Sequence, residues 1–555
     1  MRFDVLRTVF VVKTRSALLG TALILSALAL GSGCATVQPN GRGTGVADIP
    51  GGYSVRPWTP PPAPAGRPQR NAALPGPVQP EAATPSALAV RWPIQGDDNG
   101  NATVEVAYRR SAEAAWRAAL PLFWVHPKRA PAHLRVPGGR LFAGSIVNLD
   151  PDTAYEVRLS LSDPDGGAVV RTLALRTTRE PVRPPDLRRR YAVPRTQART
   201  GGGSGTAADP FAGLKAAAAN AEPGDLILLR PGVYRAGGTR PARSGRPGRP
   251  IVFAGDGTGA VVLDGEGRAS LVDVAGLEHI WFEGLTFRNA DTLLQAEGAR
   301  YIVARRNRFE VRNKNLAAGV EARRARGDES RGFFITDNVF IGPNTWPRRA
   351  RRKTDAERIF GVAVTGAGHT IAYNRMRSLG DGVNNGRGGW LSASDINNND
   401  IYDATDDCIE ADHSSTNLRV FRNRLTNCFT GVSAQPIEGG PAYVFRNTIL
   451  NAQYSPFKLH NDTSGLFLVH NTSVKAGIPF HIQPARESVN DVVSRNNIFI
   501  GTRGPALRST GVMIRDDLKT TDTAGTGGIS PFGTGCDMAC PSSAGTRRDR
   551  IRASA

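Results

Sequence analysis

The chain has 555 residues, of which 62 are Gly and 39 are Pro, about 18% together against a usual level of roughly 12%. Helix-rich globules seldom hold so many breakers, so a helical bundle is excluded, and 40% apolar residues exclude a wholly disordered chain. The formal charge of +21 favours polyanionic partners: an acidic polysaccharide, anionic lipid or nucleic acid.

Arg2, Arg7, Lys13 and Arg15 precede an apolar run from Ala17 to Leu30, which ends in Gly31-Ser32-Gly33-Cys34. A basic segment, an apolar segment and small residues before a cut describe an export signal over residues 1–33; the run is short for a membrane span of about 20 residues. A Cys directly after small residues resembles a bacterial lipobox. That resemblance implies lipidation of Cys34 and a membrane contact made through this anchor alone. An outer-membrane or cell-surface lipoprotein is expected, with a periplasmic or secreted protein as the alternative. An acidic polysaccharide is then the expected partner rather than nucleic acid, and the chain is expected to be a monomer.

Residues 34–85 are rich in Pro, Gly and Ala and read as a semi-extended tether. Residues 86–180 alternate apolar and polar in short runs ("ALAVRWPI", "ATVEVAYRR", "AYEVRLSLSD") parted by turn clusters, the pattern of a β-sandwich. The segment from Leu149 through Pro151 and Thr153 to Tyr155 resembles the tyrosine corner of fibronectin type III domains, and Trp92 matches their core Trp. Residues 181–204 read as a second linker, and a short helix is expected from Phe211 to Asn220.

Beyond it, an Asn recurs before β-rich text at Asn307, Asn338, Asn374, Asn399, Asn423, Asn447, Asn471 and Asn496, with gaps of 31, 36, 25, 24, 24, 24 and 25. A period in this range marks a solenoid. One Asn per rung fits a parallel β-helix over residues 205–516, in which each turn needs a residue tolerant of left-handed geometry and stacked amides bond along the axis. "PGDLILLRPGVYR" and the Asn-initiated rungs resemble the right-handed, pectate-lyase-like β-helix, so the expected fold is all-β: that solenoid preceded by a fibronectin III-like sandwich. The two long gaps carry insertions, one with Trp346 ahead of Arg348, Arg349, Arg351, Arg352 and Lys353, a candidate wall for gripping a polyanion. Residues 517–555 read as a disordered tail.

Position within the rung aligns the chemistry. Counted from the rung Asn, Asp381 and Asp406 share an offset and are expected as vertical neighbours about 4.8 Å apart. Asp407 and Glu410 follow, and this quartet of hard oxygen ligands without His or Cys points to Ca²⁺. Lys458 is expected two rungs above Glu410 with the small Ala434 between, leaving room for a sugar. Asp412, His413, His460 and Asn461 fall near the same face as candidate substrate contacts. Cys408 and Cys428 are compatible with either a bridge or a buried thiol pair, and Cys536 and Cys540 with a local bridge.

"GDGV", "DDCIE" and "PFKLHND" resemble the calcium site and base of polysaccharide lyase family 9, with Glu410 in place of an Asp and Pro456 in place of a Gly. The resemblance implies that Asp381, Asp406, Asp407 and Glu410 bind Ca²⁺ and that Lys458 is the Brønsted base of a β-elimination at a uronate C-5. Burial and the cation are expected to pull the Lys458 amine down in pKa. Hydrolysis by Asp406 and Asp407, uronan epimerisation, and non-catalytic glycan binding at the cell surface stand as alternatives.

Overall fold

The computed structural model describes residues 70–198, 202–312, 316–323, 330–347, 358–385, 389–475, 478, 480–482 and 489–500, and the strands Val512–Arg515, Asp517–Thr520 and Ser530–Phe532. Cys34, Arg348, Arg349, Arg351, Arg352, Lys353, Cys536 and Cys540 lie outside these residues.

The alternating segment folds as two antiparallel sheets. Ala87–Gln95 pairs with Gly139–Val147 in one sheet, and Thr103–Arg110, Ala154–Ser162 and Val169–Arg176 build the other. Strand periodicity sends Val90, Trp92, Ile94, Val104, Val157 and Leu159 into the core between them. The Tyr155 hydroxyl accepts the Asp150 backbone N–H at 2.9 Å, which ties down the corner where the chain changes direction. Leu74–Pro75 and Gln79–Pro80 already pair with Ala87–Gln95, so the sandwich begins inside the stretch that reads as tether.

The remainder is a parallel β-helix with two long sheets, of 14 and 20 described strands. Arg188–Val193 pairs in parallel with Asp225–Leu229, so the expected linker at 181–204 supplies the first strand. At the other end Asp517–Thr520 pairs with Ile498–Ile500, which carries the sheet past residue 516. The helix is shorter than expected, Leu214–Asn220, and its Leu214, Ala217 and Ala218 plug the open first rung.

The Asn column is a buried amide ladder. Each Nδ2 donates to the next Oδ1 at 3.0–3.2 Å from Asn307 to Asn471, and each Oδ1 also accepts the backbone N–H of the preceding ladder residue. Two expectations are corrected here. The left-handed residue is the one before the ladder Asn: Arg306, Asp337, Tyr373, Asn398, Arg422, Arg446 and His470 have φ of 51–57°. For the same reason the last member is Asn497, while Asn496 takes the left-handed position. The buried amide must lie in the rung to meet its neighbours, and the preceding residue turns the corner.

The sandwich packs directly on the solenoid. Arg419, fully buried, pairs with Asp395 and donates to Ser145 Oγ at 3.0 Å; Thr84 and Ser86 donate to the same Asp395 at 2.6 and 2.7 Å. Phe123 meets Phe467 edge-on, within a small apolar cluster shared with Tyr443 and Val493. A dry, paired charge network closed by hydroxyls from the sandwich makes this a fixed junction.

Candidate functional site

Four successive rungs build the site. Asp381–Asn384, Asp400–Glu410, Arg424–Ala434 and Ser455–Leu459 are neighbours in the larger sheet. Asp400–Glu410 carries a β-bulge: Ala404 faces Cys428, whereas Asp407 faces Thr430, one residue out of step. Cys408 and Cys428 form a disulfide at this irregularity.

The bulge corrects two expected alignments. With Val383 opposite Ile409, the outward position level with Asp381 belongs to Asp407, whose N–H donates to Asp381 Oδ1 at 3.0 Å. Asp406 is therefore not the register partner. One position along, Glu410 faces Ser433 and Ser433 faces Lys458, so Ser433, not Ala434, is the small residue between them. His481 continues this column above Lys458. Gly382 sits where an added Cβ would meet Cys408 O at 2.8 Å, so the Gly of "GDGV" lets the two rungs close.

Lys458 and Asp407 point to the same side and form an ion pair. Asn384 Nδ2 donates to Asp381 Oδ2 at 3.0 Å and also to Glu410, joining two carboxylates through one amide. Asp412 accepts Ser433 Oγ at 2.6 Å and the Gln435 N–H at 2.8 Å. Burial, reinforced by the charges of Asp406 and Asp407, holds the Asp381 carboxyl well above its ordinary range. Burial does the same to Glu410, with Asp381 and Asp412 adding to it. Asp412 is raised by burial to about 6, against the opposing pull of Lys458.

Lys458 departs from expectation. Burial draws its amine down, but Asp407, Asp412 and Asp406 outweigh that effect and leave the pKa raised, so the side chain is held as an ammonium. His460 is lowered to about 4 by burial and by the neighbouring His481 and Lys458. Its ring lies 4.3 Å from that of His481, whose Nε2 meets the Tyr454 hydroxyl at 2.8 Å.

Of the other predicted contacts, His413 Nδ1 lies 3.3 Å from Glu438, and Asn461 is exposed in a turn after His460. Trp346 is half-buried, on a segment whose Asn344 Nδ2 donates to Thr405 beside Asp406. Asn384, Ser433, Tyr454 and His481 were not among the expected site residues. The signal for Asn384, Ser433 and His481 was register with Glu410 and Lys458, which one-residue shifts in the rungs concealed from counting; Tyr454 joins through His481.

For Ca²⁺ the donor chemistry fits: all-oxygen ligands, with the buried Asp407 Oδ1 and Asn384 Oδ1 lacking a hydrogen-bond partner among the described residues. As the side chains stand, no group of three or more His, Cys, Asp or Glu among the described residues is arranged to hold a metal ion. The carboxylates are occupied instead by Asn384 and Lys458.

Fold and site together define an all-β protein, a parallel β-helix with a sandwich docked on its flank and an ionisable cluster on one sheet face. No family model matches the chain, and no curated protein matches it. Among solved structures it is similar to the complex of XylC with xylose (13% identity, 58% of this chain and 76% of that one, TM-score 0.44). It is also similar to a family 28 exopolygalacturonase of Yersinia enterocolitica (13%, 80% and 99%, 0.39) and an alginate lyase of Paenibacillus sp. (17%, 50% and 95%, 0.37). Overlaps at this level assign no activity.

Proposed function

We propose that this protein processes an acidic, uronate-containing polysaccharide and cleaves it by Ca²⁺-dependent β-elimination. The observation that carries the reading is the convergence of Asp381, Asp407, Glu410, Asp412, Lys458 and His460 on one sheet face, all buried or half-buried. A solenoid needs none of them to close its rungs, and each costs desolvation; ionisable groups with displaced pKa values gathered this way mark a working site.

Asp381, Asp406, Asp407 and Glu410 are the residues to hold Ca²⁺, which when bound would neutralise substrate carboxylate and make the C-5 proton easier to remove. Asn384 orients two of those carboxylates. Lys458 rests as an ammonium paired with Asp407; to serve as the base it first gives up that contact and loses its own proton to solvent, and the neutral amine then takes the C-5 proton. His460, neutral across the physiological range, donates or accepts a hydrogen bond on the sugar without adding charge.

One observation favours a second reading. A carboxyl held protonated (Asp381 or Glu410) lies close to an Asp407 that is paired with a cation, the separation of roles that glycoside hydrolysis needs. Incubation with polygalacturonate and alginate separates the two: ultraviolet absorbance of an unsaturated product, abolished by chelator and by Lys458→Ala, supports elimination. New reducing ends without absorbance replace it with hydrolysis, and neither product from any uronan rejects catalysis. Export and tethering through Cys34 belong to the same proposal; a Cys34→Ser chain that still partitions with membranes overturns the anchor.

A further inference from the structure

Residues 125–135 of the sandwich reach over the solenoid next to the cluster. The His133 ring lies 4.5 Å from that of Trp390, and Arg129 Nη1 is 2.7 Å from Asp462 Oδ2, two residues past His460. The His126 N–H donates to Gly439 O at 3.3 Å, and a Cβ on Gly439 would meet Val125 Cγ1 at 2.9 Å, so the two surfaces touch at backbone distance. Val125, Ala130 and Leu134 sit in a buried apolar cluster with Leu141 and Ala143 that holds the loop in shape.

Trp390 is 37% exposed despite this company. Its Nε1 donates to Glu438 Oε2 at 2.6 Å, and Glu438 Oε1 lies 3.3 Å from Nδ1 of His413, the residue after Asp412. Leu391 and Ser414 are bridge partners, so Trp390 and His413 stand on adjacent rungs. The indole is thus pinned by its N–H, flanked by an imidazole and linked by two polar contacts to the ionisable cluster, with part of its surface left to solvent. A ring fixed in orientation and partly open suits stacking against the apolar face of a pyranose, since the ordering entropy is already spent.

We propose that Trp390, with His133 from the sandwich, forms a sugar-stacking subsite beside the ionisable cluster, so that the sandwich is part of the substrate-binding surface. This rests on the polysaccharide reading above and adds where the chain extends. The occupant is a pyranose unit of the same uronan bound at Lys458, because Trp390 is joined through Glu438 to His413, the residue beside Asp412, whose carboxylate and Lys458 feel each other's charge.

The test is calorimetric titration of the full chain with galacturonate and alginate oligosaccharides of two to eight units. Trp390→Ala is expected to weaken the longer oligosaccharides by about tenfold, one stacking contact's worth, while leaving the disaccharide unchanged. Trp390→Phe is expected to recover most of the loss, and His133→Ala to lose part of it. Equal affinities of Trp390→Ala and the parent chain at every length overturn the subsite and leave the polysaccharide reading intact. So does a loss at every length together with a lowered thermal midpoint, which would make Trp390 a packing residue. No binding of any uronan by the parent chain removes both.

Discussion

Removing the Lys458 amine is the sharpest perturbation of the site. Its side chain is 15% exposed, and that of its partner Asp407 is 0% exposed. Lys458→Met keeps the stem and deletes the charge, leaving Asp407 buried without a counter-ion. Breaking one side of such a pair costs about 3–5 kcal/mol. Lys458→Met/Asp407→Asn removes both charges and is expected to recover most of the loss. In the parent chain the raised Lys458 pKa has a definite sign: its stabilisation is complete below the ordinary lysine value and is lost only as the pH rises through the higher folded value. The pair therefore persists throughout the neutral range. Urea unfolding at pH 8 and pH 5 measures all of this. A single variant within about 1 kcal/mol of the parent at pH 8, or a double variant no better than the single, refutes the buried-pair argument.

Three further outcomes follow from the packing of the rungs. Asn399→Ala strips the ladder residue that accepts the Asn374 N–H at 3.0 Å, donates to Ile371 O at 2.9 Å and joins the amides of Asn374 and Asn423, a loss of about 2–4 kcal/mol in denaturant unfolding, against about 1 kcal/mol for Asn398→Ala, outside the ladder but at a φ of 51° that disfavours Ala. Asp412 has a pKa raised from 3.8 to about 6, so its own contribution to stability is fully present below about pH 4 and is lost as pH rises through 6; Asp412→Asn should flatten that part of the slope and stabilise the protein near pH 7.5 by up to about 3 kcal/mol. An unchanged slope would contradict it. Cys408→Ser/Cys428→Ser opens a link between residues 20 apart, expected to cost about 3 kcal/mol in the loop-entropy model, with the thermal midpoint of reduced parent chain falling to match.

Much of this architecture can be read from sequence because a solenoid repeats one local problem. Each rung needs an amide that reaches its copies above and below, and the recurring Asn announces that need without any long-range information. Alternation in residues 86–180 discloses the sandwich for a comparable reason: period two places the apolar side chains on one face of a strand. Carboxylates and an amine near one sheet face could be inferred by counting from the ladder, and Lys458 and Asp407 do meet.

Counting fails where the chain departs from regularity. A single extra residue between Ala404 and Asp407 moves Asp407 into line with Asp381 and Glu410 into line with Ser433, and a second one-residue shift between Leu450 and Ser455 brings Lys458 over Ser433. No local sequence feature marks that bulge, because it is set by how two rungs and the Cys408–Cys428 bridge fit together. The protonation of Lys458 is likewise a property of assembly: three carboxylates from one strand and the turn after it, two rungs away from Lys458, surround the amine, and their summed field exceeds the desolvation that the isolated segment would suggest. The docking of the sandwich through Arg419, Asp395 and Ser145 joins residues more than 270 positions apart, and only the folded chain brings such distant charges into one dry contact.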